Sequence, residues 1–169
     1  MTVRLAALST ALPPHLLPQD LVQRRAQGLL GPRYPQFERM LATFVTAGID
    51  TRHSVVPIDW FESPAGWKER NDRFLEGGTA LFEDAAARAL GEAGWRADEV
   101  DVIVTVTSTG IATPTFEARA HGRMGFRRDA VRVPLFGLGC AGGVAGLGIA
   151  RDLAAARPGA RVLLVVVEC

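Results

Sequence analysis

Two runs of the chain, VIVTVT at 102–107 and VLLVVV at 162–167, are apolar or β-branched at every position. A strand solvated on one face alternates apolar with polar residues, whereas an unbroken run marks a strand covered on both faces. The architecture that covers both faces is a parallel sheet with helices on either side, so the fold class is α/β. The rest of the pattern agrees. Residues 3–9 and 132–139 read as further strands, and 48–56 as irregular or short strand. Residues 19–30, 35–46, 70–93 and 141–156 read as helices, the first two separated by Gly31-Pro32 and the third weakened at Gly77-Gly78. Thr113 followed by Pro114 reads as an N-cap with proline in the first helical position, opening a helix that runs to about Met124.

The composition narrows the function classes. An apolar content of 48% is enough for a core, and a net charge of +1 with dispersed arginines gives no reason to expect a nucleic acid or an anionic membrane surface. The two cysteines, Cys140 and Cys169, have neither metal-ligand spacing nor a disulfide framework, which suits a reducing, cytoplasmic compartment. The opening MTVRLAALSTALPPHLLP has one early charge and then Pro13-Pro14, and reads as a strand and loop rather than a signal peptide. Residues 133–150 carry no charge over the length of a membrane span, but six of them are glycine, so a buried strand–turn–helix is expected and no span. The chain stops directly after a core strand, and a domain with more chain beyond residue 169 is expected.

The chemistry concentrates in VRVPLFGLGCAGG, residues 131–143, where a strand runs into a glycine turn carrying Cys140. A thiol at the start of a helix has its thiolate favoured by the helix dipole and by unpaired N–H groups, which is how a nucleophilic cysteine is often built. The same turn spells G-x-G-x-x-G through Gly137, Gly139 and Gly142, and the next strand ends in Glu168, as an NAD(P)-binding oxidoreductase domain requires. The helix separates the two readings. From Ala141 to Ala150 it has no polar side chain on any face. A helix outside a doubly wound sheet carries a polar stripe, whereas one that is small and apolar all round is expected to be buried on all sides between layers.

A central helix led by a cysteine in a layered α/β protein is the thiolase-type arrangement. The chain resembles the N-terminal half of type III polyketide synthases, the chalcone and stilbene synthase family, in a bacterial form. The resemblance is carried by AGIDTRH (47–53), DVIVTVTSTGIATPT (101–115), GRMGFRRDAVRVPLFGLGCAGG (122–143) and ARVLLVVVE (160–168). It implies a thiolase-like α-β-α-β-α fold of which residues 1–169 form the N-terminal half-domain, the C-terminal half being absent. It implies a homodimeric acyltransferase that loads an acyl group from acyl-CoA onto Cys140 and extends it by decarboxylative condensation with malonyl-CoA, with no cofactor beyond CoA thioesters. On the same resemblance Ser108 lines the acyl tunnel, and Thr113 sits on a loop that walls the partner's cavity. Arg39 lies near the residues that grip the CoA phosphates.

The resemblance places the family's catalytic histidine and asparagine in the second half. His15, His53 and His121 do not match that histidine, and Arg52 and His53 receive no catalytic role. The 169 residues alone are therefore expected to be inactive in polyketide synthesis. The competing readings are a β-ketoacyl synthase of the fatty-acid-initiating kind, the nicotinamide-binding domain, and a non-catalytic truncated paralogue.

Overall fold

In the computed structural model, which describes residues 2–169, the order of elements is β1 (His15–Pro18), α1 (Gln19–Leu30), α2 (Phe37–Thr46), β2 (Thr51–Ser54), α3 (Trp67–Ala93), β3 (Val102–Thr107), α4 (Phe116–Met124), β4 (Val131–Phe136), α5 (Gly142–Ala156) and β5 (Val162–Val166). The chain divides into two compact units, one of Leu12–Arg70 and one of residues 2–11 with Asn71–Cys169.

The larger unit is built on β3, every residue of which is buried. β4 and β5 flank it, both parallel to it, in the order β4-β3-β5, with Val102 beside Val131 and Val162. The two apolar runs thus take the both-faces-covered positions their composition requires. Asp101 sets the register where the strands begin. Its Oδ1 accepts from Arg127 Nη1 at 2.6 Å and its Oδ2 from the Arg161 N–H at 2.8 Å, while its carbonyl accepts from the Val131 N–H at 2.9 Å.

Residues of alternate parity on β3 enter different cores. Ile103 packs with Phe74, Phe82 and Ala86 of α3 and with Phe116 and Ala120 of α4. Val102, Val104 and Val106 pack with Leu164 of β5 and with Ala150 and Leu153 of α5. The result is three layers, with α3 and α4 on one face of the sheet and α5 on the other. Helix α3 runs unbroken through Gly77-Gly78, and a Cβ at Gly78 would sit 2.5 Å from the Phe116 ring. The glycine that weakens the helix on propensity is therefore what lets α4 pack against it.

Helix α5 lies close on the sheet because Gly142 and Gly146 face it. A Cβ at either would stand 2.7 or 2.9 Å from a Val106 methyl. Only these two residues of α5 are buried. Val144 and Leu147 on the far face are 77% and 54% exposed. Among the described residues the sheet covers one face of α5 and no layer covers the other, so these residues alone do not complete the expected burial on all sides.

Residues 3–9 are not a strand. A strand exists as a member of a ladder, and none of the five strands pairs with this segment, in which Leu5 and Leu8 are exposed.

The smaller unit pairs β1 with β2 antiparallel, His15 opposite Ser54, with α1 packed on α2. The buried Gln19 ties it together. Its N–H donates to Asp50 O at 2.9 Å, its amide donates to Phe44 O at 3.3 Å, and it accepts from Arg52 Nε at 2.9 Å.

Candidate active site

β4 delivers Cys140 to the end of the sheet. After Phe136 the chain turns at Gly137 and Gly139, whose φ angles of 81° and 56° lie in the left-handed region that side chains disfavour. The Gly137 N–H donates to Thr107 O at 3.3 Å, which ties the turn to the end of β3. Cys140 then sits in the 3₁₀ turn Gly139–Ala141, immediately ahead of the fifteen-residue helix α5, and is exposed. The Gly142 N–H donates to Gly139 O, so it is the positive end of the helix dipole that favours an anion formed beside the sulfur. Gly142, the last glycine of the G-x-G-x-x-G spelling, is occupied in close packing on Val106.

Glu168 is engaged at the same end of the sheet. Its carboxylate accepts from the Ser108 N–H at 3.2 Å, from the Ser108 hydroxyl at 2.7 Å and from the Thr109 hydroxyl. The Cys169 N–H donates to Thr109 Oγ1 at 3.3 Å. The acid that a dinucleotide-binding unit would turn toward a ribose is thus spent on the loop after β3.

That loop, residues 108–115, is braced at three further points. The Asn71 side chain pairs with the backbone of Ile111: Nδ2 donates to the Ile111 carbonyl at 3.0 Å, and the Ile111 N–H donates to Oδ1 at 2.9 Å. Arg119 donates from Nε to Pro114 O at 2.7 Å and from Nη2 to Thr113 O at 3.2 Å. The Thr115 hydroxyl donates to the buried Glu117 carboxylate. These bonds correct the reading of Thr113 as an N-cap. The guanidinium of Arg119 takes the carbonyls of Thr113 and Pro114, so the helix begins two residues later, with Thr115 as the N-cap of α4.

Between the loop and the sheet lies a cavity of about 230 Å³, walled by Thr105, Thr107, Ile111, Thr113, Phe116 and Phe136 among others. Thr105 and Thr107 are 3% and 8% exposed, and their hydroxyls have no hydrogen-bond partner. Buried polar atoms are seldom left so, and the pair marks this wall as one able to meet a polar group.

The predicted site residues are distributed accordingly. Cys140 heads α5, Thr113 walls the cavity, and Ser108 is held by Glu168. Arg39 is an exposed residue of α2, in the smaller unit. Two of the histidines hold backbone carbonyls: His53 Nδ1 meets Pro13 O at 3.0 Å and His121 Nε2 meets Arg127 O at 3.1 Å. Sequence reasoning missed Asn71, because a polar residue on a charged helix carries no signal of a contact made 40 residues away, and Arg119, because a helical arginine does not show that it turns back on the loop five and six residues before it. Among the described residues no helix is long and apolar enough to cross a membrane.

Comparison with known proteins places this geometry. The family profile described as chalcone and stilbene synthases, N-terminal domain, matches residues 43–169. A 1,3,6,8-tetrahydroxynaphthalene synthase of Streptomyces peucetius subsp. caesius is 41% identical over 165 residues, covering 96% of this chain and 43% of that protein. The crystal structure of the synthase of that name from Streptomyces coelicolor A3(2), a bacterial type III polyketide synthase, matches with a TM-score of 0.88 at 30% identity, over 96% of this chain and 47% of that one. CsyB complexed with CoA-SH matches with a TM-score of 0.83 at 30% identity, over 96% and 45%. The chain spans a little under half the length of these relatives. The layered α/β arrangement is the thiolase-like one that the resemblance implied, over its N-terminal half.

Proposed function

The chain belongs to the chalcone and stilbene synthase family, and from that premise we propose that Cys140 is the nucleophile of a condensing acyltransferase, a type III polyketide synthase. In the loading step the Cys140 sulfur attacks the thioester carbonyl of an acyl-CoA. The bond from that carbonyl to the CoA sulfur breaks, CoA leaves as a thiolate and takes up a proton, and the acyl group remains as a thioester on Sγ. In the extension step malonyl-CoA loses carbon dioxide, and the resulting enolate attacks the Cys140 thioester, which frees the sulfur.

The observation that carries this reading is the placement of Cys140: exposed, on a turn with two left-handed glycines, at the N-terminus of α5. A thiol there is reachable by a large thioester, and the N-terminal end of the α5 dipole favours the negative charge that develops beside it. Thr113 and Ser108 shape the space for the acyl chain, and Arg39 takes a CoA phosphate. The enzyme acts as a homodimer in the cytoplasm and needs no cofactor beyond CoA thioesters.

Turnover on this reading also needs a histidine and an asparagine that the family resemblance places beyond the matched half. The 169 residues alone are expected to take up an acyl group slowly and to release no polyketide. Incubation with a fatty acyl-CoA followed by peptide mass spectrometry should find the acyl mass on Cys140 and none in Cys140→Ala. A folded chain that stays unacylated would overturn the assignment of the nucleophile. Pyrone release by these residues alone would overturn the need for the second half.

A further inference from the structure

The loop between β3 and α4 holds its shape through side chains rather than through a ladder. Glu168 holds its first two residues, Arg119 the Thr113 and Pro114 carbonyls near its end, and Asn71 its middle. The Asn71 contact differs in kind from the others. A carboxamide presents one donor and one acceptor side by side, as a neighbouring strand residue does, and Asn71 uses both on the backbone of one residue. Ile111 has its side chain 51% exposed, so packing does not fix it, and the paired bonds at 3.0 and 2.9 Å do. Ile111 and the two residues after it form one wall of the cavity, opposite Thr107 and Phe136. Phe136 ends the strand that delivers Cys140, so the cavity, on the α4 face of the sheet, reaches the end of the sheet at which Cys140 stands.

We propose that Asn71 is a positioning residue for acyl transfer. By clamping Ile111 it sets how far the 108–115 loop stands from the sheet, and hence how long an acyl chain fits on Cys140. The inference rests on Cys140 being the acyl acceptor. Asn71 does not touch the reacting atoms. Its effect is a selectivity, the ratio of acylation by a long thioester to acylation by a short one.

The test uses the full chain as wild type, Asn71→Ala and Asn71→Asp, with octanoyl-CoA and acetyl-CoA. Asn71→Asp keeps the acceptor for the Ile111 N–H and turns a carboxylate oxygen on the Ile111 carbonyl, so one of the two bonds survives. Amide hydrogen exchange of the 108–115 segment should quicken roughly tenfold in Asn71→Ala and less in Asn71→Asp. The octanoyl-to-acetyl ratio of Cys140 acylation should shift several-fold, in the same order. A variant that only weakened the fold would slow both thioesters by one factor and leave the ratio alone. Thermal melts identify a variant that fails to fold, and in that case Asn71→Asp carries the comparison. Wild type acylated by both thioesters, with an unchanged ratio or unchanged loop exchange in Asn71→Ala, overturns the proposal and spares the reading of Cys140. Wild type inert to both thioesters overturns that reading and the selectivity with it.

Discussion

The two cysteines differ in their surroundings more than in their exposure. Cys140 stands clear on its turn. Cys169 meets solvent in part, yet the loss of water around its sulfur and the neighbouring Glu168 carboxylate push its thiol up to about 11. A raised value means the neutral thiol persists as pH climbs, so at pH 8 only about one molecule in a thousand carries the reactive thiolate there. Iodoacetamide labelling of Cys169 should therefore rise about tenfold per pH unit from 8 to 10 and level off only near 11, as read by peptide mass spectrometry. Glu168 is the other residue whose role depends on distant partners. Glu168→Ala leaves the Ser108 N–H and two hydroxyls without their shared acceptor, and should cost about 1 kcal/mol in urea unfolding. The place of Cys140 at the head of a helix could be read from sequence because its neighbours are glycines at the end of an apolar run. The Glu168 to Ser108 contact could not, since it joins residues 60 apart that only the β3–β5 pairing brings together.

Among the elements, the strands and helices with strong patterning fall where the sequence places them. The differences lie where a partner decides. Residues 3–9 have the composition of a strand and no strand to pair with, and the α4 start shifts because Arg119 claims the Thr113 and Pro114 carbonyls. Glycines follow the same logic, since a sequence shows a missing side chain but not the atom that occupies its place. At Gly110 a Cβ would lie 2.4 Å from the Phe74 ring, and at Gly146 it would meet Val106 and Leu164 at 2.9 and 3.0 Å. Gly146→Val should lift α5 off the sheet and destabilise the chain by about 2 kcal/mol, measured as a lowered urea midpoint with unchanged slope. Gly110→Ala should displace Phe74 or the loop at a similar cost, about 2 kcal/mol, and quicken amide exchange in residues 108–115.

Over the molecule as a whole, apolar side chains stay uncovered on the far face of α5, with Val144 and Leu147 the most open. The double variant Val144→Glu, Leu147→Lys should bind less anilinonaphthalene sulfonate than wild type and sediment with less concentration dependence, with stability changed by no more than about 0.5 kcal/mol. The α/β class was legible at this scale because unbroken apolar runs admit few architectures, and the all-apolar start of α5 called for a second covering layer that residues 2–169 do not supply. The strand order has a further consequence, for the chain as it is made. β3 is the centre of the sheet and the first of its strands to leave the ribosome, while both of its neighbours come later and the second only at Val162–Val166. At ordinary rates of synthesis the interval from Thr107 to Val162 lasts roughly 3–11 s. Throughout it VIVTVT has at least one bare hydrogen-bonding edge, so the nascent chain passes through a window in which a chaperone or another copy of itself competes for the place that β5 will take.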